Sequence, residues 1–264
     1  MEIKQINFSG SIIKYKITGN GKPVMLLHGF GEDSSIWDLQ VEFLKPDFQL
    51  IVPDLPGSGA SSLLEKEIVS IADYAEAIKA ILEAEKITNV IMIGHSMGGY
   101  ITLAFAEKYA DMLGAFGLFH SGAYADDEAK KQTREKAILF IEQNGSAAFL
   151  KTSIPGLFLD TVKSKAAIDT LIHKGSEFSP RSLIQYYRAM ISRPDRTTVL
   201  KTFPGPILFL MGEHDKAIPF EDSLRQSHLP AHAYIHILRS SAHMGMTEET
   251  GIANEKLSQF LHSV

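Results

Sequence analysis

The sequence predicts an α/β protein: a mostly parallel sheet of eight strands with helices on both faces. Three observations carry that prediction. Short β-rich runs alternate with helical patterns over most of the 264 residues. The middle runs are apolar throughout rather than alternating, as parallel strands covered on both faces require. A chain of this length, with 45% apolar and 22% charged residues, can also bury a sizeable core without covalent staples.

Candidate strands lie at 3–8, 12–17, 24–27, 49–53, 90–93, 115–120, 207–211 and 233–238. The first two are joined through Ser9-Gly10 and read as an antiparallel hairpin. Candidate helices fill the intervals at 34–44, 70–85, 97–109 and 248–262. Between 122 and 198 the alternation stops, and the pattern is helical with no strand. A charged amphipathic segment at 125–143 ends at the stop signal Asn144-Gly145. A second helix, 161–174, ends at Gly175. Ser179-Pro180 opens a third, with serine as cap and proline in the first turn, running to 191. The expected division is a core of residues 1–121 and 199–264 with a helical cap, 122–198, inserted over the functional edge of the sheet.

Composition narrows the function classes. The 26 basic and 31 acidic side chains give a net charge of −5, so no basic excess points to nucleic acid or an anionic membrane. There is no cysteine, which excludes disulfides, thiolate metal sites and cysteine nucleophiles. The first residues lack the basic start and apolar stretch of a signal peptide, and the apolar runs are too short to span a bilayer. A cytoplasmic protein acting on a small molecule is the expectation; oligomeric state is not readable.

The strongest chemical signal is Gly94-His95-Ser96-Met97-Gly98-Gly99, which follows an apolar strand and precedes a helix. A serine on so sharp a turn is held clear of the sheet, and only small neighbours such as Gly94 and Gly98 fit around it. The amide of Met97 points at the same space, and the helix N-terminus favours a developing oxyanion. A second signal, His28-Gly29-Phe30-Gly31, leaves the strand 24–27 and can aim the Phe30 amide there too, completing a two-donor oxyanion hole.

These motifs resemble those of the α/β-hydrolases that carry a helical cap. The matching residues are His28-Gly29-Phe30-Gly31 with Trp37 after it, Asp54-Leu55-Pro56-Gly57-Ser58-Gly59-Ala60-Ser61, the Ser96 motif, Gly212-Glu213-His214-Asp215 with Pro219, and Ser241-Ala242-His243. They run in the family's order over nearly the whole chain. The stretch from Asp54 to Ser61 reads as a stiff turn that shapes the site rather than reacting.

A serine hydroxyl needs a base. Of ten histidines, His243 is the best candidate, in a small-residue loop where the resemblance places the catalytic histidine. His28 and His95 read as structural, and His120, at a strand end, as a pocket-lining candidate. Asp215, in the turn-rich loop after strand 207–211, is the expected partner of the base, with Glu213 its nearest rival. The order Ser96, Asp215, His243 is the one this fold implies. No histidine pair with a carboxylate has a recognised metal-ligand spacing, so no metal and no cofactor are expected. From the cap, Phe149, Leu157, Phe158, Tyr186 and Met190 are candidates for the pocket wall.

The resemblance implies a serine hydrolase acting on a small to medium carboxylic ester through an acyl-enzyme. Carbon–carbon bond hydrolysis, thioester or lactone hydrolysis and cofactor-free perhydrolysis use the same triad. A ligand-binding signalling module on the same fold is the alternative of a different kind. Serine at position 96 argues against relatives that cleave carbon–halogen bonds or epoxides, which carry aspartate there.

Overall fold

In the computed structural model, which describes residues 1–264, eight strands form: β1 (Glu2–Phe8), β2 (Ser11–Thr18), β3 (Lys22–Leu27), β4 (Phe48–Pro53), β5 (Val90–His95), β6 (Leu113–Phe119), β7 (Ile207–Gly212) and β8 (Ala233–Leu238). They make one sheet in the order β1-β2-β4-β3-β5-β6-β7-β8. Only β2 runs against the rest; it pairs antiparallel with β1 and β4, and every other pairing is parallel. Each strand overlaps a predicted run. The apolar runs of β5 and β7 are buried along their whole length, whereas β1 and β8 lie at the edges and are half exposed.

The helices are α1 (Asp38–Leu44), α2 (Ile71–Ala84), α3 (Met97–Lys108), α4 (Glu128–Ser153), α5 (Lys165–Gly175), α6 (Pro180–Ile191), α7 (Thr197–Thr202), α8 (Phe220–Gln226), α9 (Gly245–Glu248) and α10 (Thr250–Ser263). The first predicted helix, 34–44, is in fact a 3₁₀ turn, Ser34–Trp37, followed by α1. The C-terminal helix is divided at Glu249, whose backbone angles leave the helical region. Between β6 and β7 only helices form. Asn144-Gly145 does interrupt the first of them, because Gly145 has φ 83° and ψ 165°. The chain re-enters the helix at once, so α4 runs on to Ser153. Ser179 caps α6 through the Ser182 amide, with Pro180 in the first turn. No helix is long and apolar enough to cross a membrane.

This topology brings five chain segments to the carboxyl edge of the sheet, where ligands bind in open α/β folds. They are the loop after β3, the turn after β5, and the residues following β6, β7 and β8. The turn after β5 is packed without slack: a Cβ on Gly94 would lie 2.3 Å from the Gly98 carbonyl oxygen.

Gly98→Ala tests that packing. Its methyl would sit 2.5 Å from the Leu27 carbonyl oxygen and 2.7 Å from that of His28, backbone atoms that cannot swing aside. The expected loss of unfolding free energy is about 3 kcal/mol, the upper end for overpacking. Gly156→Ala meets nothing within 4 Å and is expected to change stability by less than about 0.5 kcal/mol. Urea denaturation of both variants decides, and equal losses would refute the packing argument.

Candidate active site

Ser96 stands between β5 and α3 with φ 51° and ψ −116°, a region that a residue with a side chain rarely adopts. Its amide donates to the Phe119 carbonyl, and its own carbonyl accepts from the Ser121 hydroxyl at 2.7 Å. The turn is thereby pinned to the end of β6. The loop after β3 passes close by, since a Cβ on Gly29 would lie 3.1 Å from the Ser96 Cβ. Phe30 is in that loop. Met97 opens α3, and the amides of a helix's first turn have no partner within the helix.

His243 and Asp215 are brought together across 28 residues. The imidazole donates from Nδ1 to Asp215 Oδ2 at 2.7 Å. The other carboxylate oxygen accepts the amides of Ala217 and Ile218 at 2.8 and 2.9 Å. Burial alone would push the Asp215 carboxyl up; the charge of His243 and its hydrogen bond, with His120 close behind, override it and hold the group well below the usual carboxylate range. Ser96 and His243 line one cavity of about 560 Å³, of ordinary size for a small-molecule site. No hydrogen bond joins the Ser96 hydroxyl to the imidazole. Glu213, the rival carboxylate, is exposed and lines a different pocket.

Two further histidines flank this pair, and their pKa values are shifted in opposite directions. His95 is fully buried and faces acceptors on both sides: Nδ1 donates to Glu32 Oε2 and Nε2 to the His243 carbonyl, each at 3.0 Å. Oxygen acceptors at both ring nitrogens favour the imidazolium. Burial works against that second proton, but the Glu32 carboxylate and the carbonyl hold it, so the His95 pKa is raised and that of Glu32 lowered. Glu32 also accepts the Gly29 amide at 2.7 Å.

His120 is equally buried but faces donors. The Gly212 amide lies 3.0 Å from Nδ1 and the Gly245 amide 3.1 Å from Nε2; a neutral ring carries one N–H, so only one of the two nitrogens accepts. A second ring proton would leave neither amide an acceptor. Burial, reinforced by the neighbouring histidines and only partly offset by Asp215, lowers its pKa to about 4. His120 therefore does not line the pocket, as the sequence suggested; it stands behind Asp215, with Nδ1 3.4 Å from Oδ2. His28 is structural as expected, donating to the Gly29 carbonyl and accepting the Leu55 amide at 2.9 Å. Asp54 likewise accepts the Ala60 amide within its own turn and the Ser34 amide from the loop after β3.

His120, Asp215 and His243 place one ligand-type atom each within 4.8 Å of one another, a cluster that linear spacing did not reveal. Those atoms are already engaged in the hydrogen bonds just described, so the set is suited to holding a proton rather than an ion.

Of the predicted wall residues, Phe149, Leu157 and Met190 border the cavity. Tyr187 replaces Tyr186, whose hydroxyl instead donates to the Pro56 carbonyl at 2.9 Å. Phe158 lines the separate pocket beside Glu213. The ring of Phe30, overlooked in a reading that used only its amide, stacks on Tyr187 at 4.3 Å.

The profile of the alpha/beta hydrolase family matches residues 24–254. The chain is 23% identical to the 2-hydroxy-6-oxo-6-phenylhexa-2,4-dienoate hydrolase of Comamonas testosteroni, across 98% of this chain and 94% of that one. A thermophilic esterase from Thermogutta terrifontis superposes with a TM-score of 0.93 at 24% identity, covering 100% of this chain and 99% of the other. The enol-lactonase of Burkholderia xenovorans gives 0.91 at 20%, covering 98% and 100%. These structural likenesses are of fold. The first curated relatives, mycobacterial and mammalian, are longer proteins: the chain spans 33% and 55% of their lengths.

The depressed Asp215 pKa has a sign that stability can test. The folded value lies below the ordinary 3.8. Its contribution is therefore complete above about pH 4 and is lost as pH falls below that. In urea titrations, the acid decline of the wild type is expected to be steeper than that of Asp215→Asn by about 1.4 kcal/mol per pH unit. Equal slopes would show that the carboxylate is not held.

Proposed function

The chain belongs to the alpha/beta hydrolase family, and on that premise we propose that it is a serine hydrolase cleaving a small to medium carboxylic ester. Ser96 is the nucleophile, His243 its base and Asp215 the partner that fixes the base's tautomer. The observation that carries this reading is the strained Ser96 turn, beside the Asp215–His243 pair and on the wall of the same cavity. Strain of this kind costs about 1–3 kcal/mol and clusters at active sites.

With Nδ1 bound to Asp215, the imidazole keeps Nε2 free to take the Ser96 proton. The Ser96 oxygen attacks the ester carbonyl, and the N–H groups of Phe30 and Met97 stabilise the oxyanion. Collapse breaks the ester bond, and the imidazolium protonates the departing alcohol. Water, deprotonated by the same imidazole, then adds to the acyl-enzyme and releases the acid and Ser96. No step needs a cofactor. The helices of 122–198 serve as the cap, and Phe149, Leu157, Tyr187 and Met190 supply an apolar wall for the substrate. Thioesters and lactones suit the same machinery, and a substrate panel graded in acyl length ranks them.

Ser96→Ala is expected to lower kcat by roughly 10⁶ and to abolish fluorophosphonate labelling. Labelling that persists on another serine, with activity intact, overturns the assignment. Asp215→Asn is expected to cost about 10⁴ in kcat with the fold retained by circular dichroism. A crippling Glu213→Gln beside a mild Asp215→Asn would identify the other carboxylate as the partner.

A further inference from the structure

The cavity that holds Ser96 and His243 carries a charge pattern that ester cleavage does not use. Three cationic side chains, Lys130, Arg134 and Lys216, border it. Its one carboxylate, Glu32, is engaged by His95 and the Gly29 amide. The chain as a whole is acidic, 26 basic against 31 acidic side chains, so the cluster runs against the overall composition.

Arg134 is the most firmly held of the three. Its Nε donates to Asp126 Oδ2 at 2.6 Å and its Nη2 to Oδ1 at 3.4 Å. The guanidinium lies over the Tyr187 ring, 5.6 Å from its centroid. Its Nη1 makes no hydrogen bond within the chain. Asp126 does not neutralise it, because the same buried carboxylate also takes Arg193 Nη1 at 2.9 Å. Two guanidiniums thus share one carboxylate, and the cluster keeps a net positive charge. A largely buried cation of this kind calls for a counter-charge, and a planar guanidinium edge matches a carboxylate. The neighbouring wall is apolar, from Phe30, Phe149 and Met190.

We propose that the substrate carries a free carboxylate in addition to the carbonyl that Ser96 attacks, and that Arg134 receives it with Lys130 alongside. This rests on the serine-hydrolase reading and narrows its substrate class to anionic acyl compounds with an apolar body. Arg134 is here a specificity-determining residue.

The test compares charged esters with neutral isosteres. On the acyl side, mono-4-nitrophenyl succinate, glutarate and adipate are paired with 4-nitrophenyl 4-methylpentanoate, 5-methylhexanoate and 6-methylheptanoate. On the alcohol side, 4-carboxyphenyl acetate is paired with 4-isopropylphenyl acetate. The wild type is expected to favour the charged member of at least one pair at least tenfold in kcat/KM, and Arg134→Gln to bring that ratio close to one. Asp126 remains paired with Arg193 in this variant. Should Arg134→Gln fail to fold, Lys130→Gln, which loses only a bond to the Ala217 carbonyl, is expected to lower the ratio severalfold. No preference for charge in any pair, or a ratio unmoved in the folded variants, overturns the proposal. Calorimetric titration with glutarate and adipate decides independently of turnover. If Ser96 takes no fluorophosphonate and no ester is cleaved, the hydrolase reading fails. Even then, heat of binding that Arg134→Gln abolishes sustains the carboxylate site, and its absence with both diacids removes it.

Discussion

The buried pair of Glu32 and His95 holds the carboxyl edge of the sheet together. It joins the loop after β3, the turn after β5 and the loop after β8, with His95 reaching across 63 residues to Glu32 and 148 to His243. One carboxylate oxygen receives both the Gly29 amide and the His95 ring, and the ring's far side grips the His243 carbonyl. Isolated charges at this depth are prohibitively costly; paired and hydrogen-bonded, they persist, and removing one partner of such a pair typically costs about 3–5 kcal/mol. Burial does the reverse at His120 and favours the neutral ring, which sits between the Gly212 and Gly245 amides. Protonation at this edge therefore follows the surroundings of each ring: the Glu32 carboxylate favours the proton on His95, and burial disfavours it on His120.

The strands were legible because parallel strands must be apolar on both faces, which leaves an unbroken signature in runs such as those of β5 and β7. The Ser96 turn was legible because its steric demands select glycine at fixed offsets, as the close approach at Gly94 illustrates. Glu32, His120, Asp126 and Arg134 were not singled out for the roles they take. Each is a polar residue whose meaning lies in a partner distant in sequence or in a cavity wall, and no local periodicity records that. Tyr186 and Tyr187 show the same limit at its finest scale: adjacent residues on one helix face different ways, and only packing decides which meets the cavity. The Gly145 stop was read correctly as a break, but whether a chain resumes its helix after a break depends on what it packs against.

The helical segment between β6 and β7 is seated on the sheet by polar contacts as well as by rings. Tyr186 reaches the carbonyl of Pro56, Lys174 reaches Asp33 at 3.3 Å, and Arg196 Nε donates to Glu107 of α3 at 3.0 Å. Phe30 joins the two parts from the other side, because its ring stacks on Tyr187 while its backbone stays with the loop beside Ser96. A single residue is thus shared between the wall of the cavity and the loop that closes its floor.

One more contact crosses this boundary at a sensitive place: the His243 amide donates to the carbonyl of Leu157 at 2.9 Å. The loop that carries the imidazole therefore takes part of its support from the inserted helices and not only from the sheet. Chimeras that exchange 122–198 for the equivalent segment of a relative would replace this acceptor along with the cavity wall. The wall of the cavity and the seating of His243 are therefore not separable parts to be recombined at will; a transplanted segment would also reset the position of the imidazole.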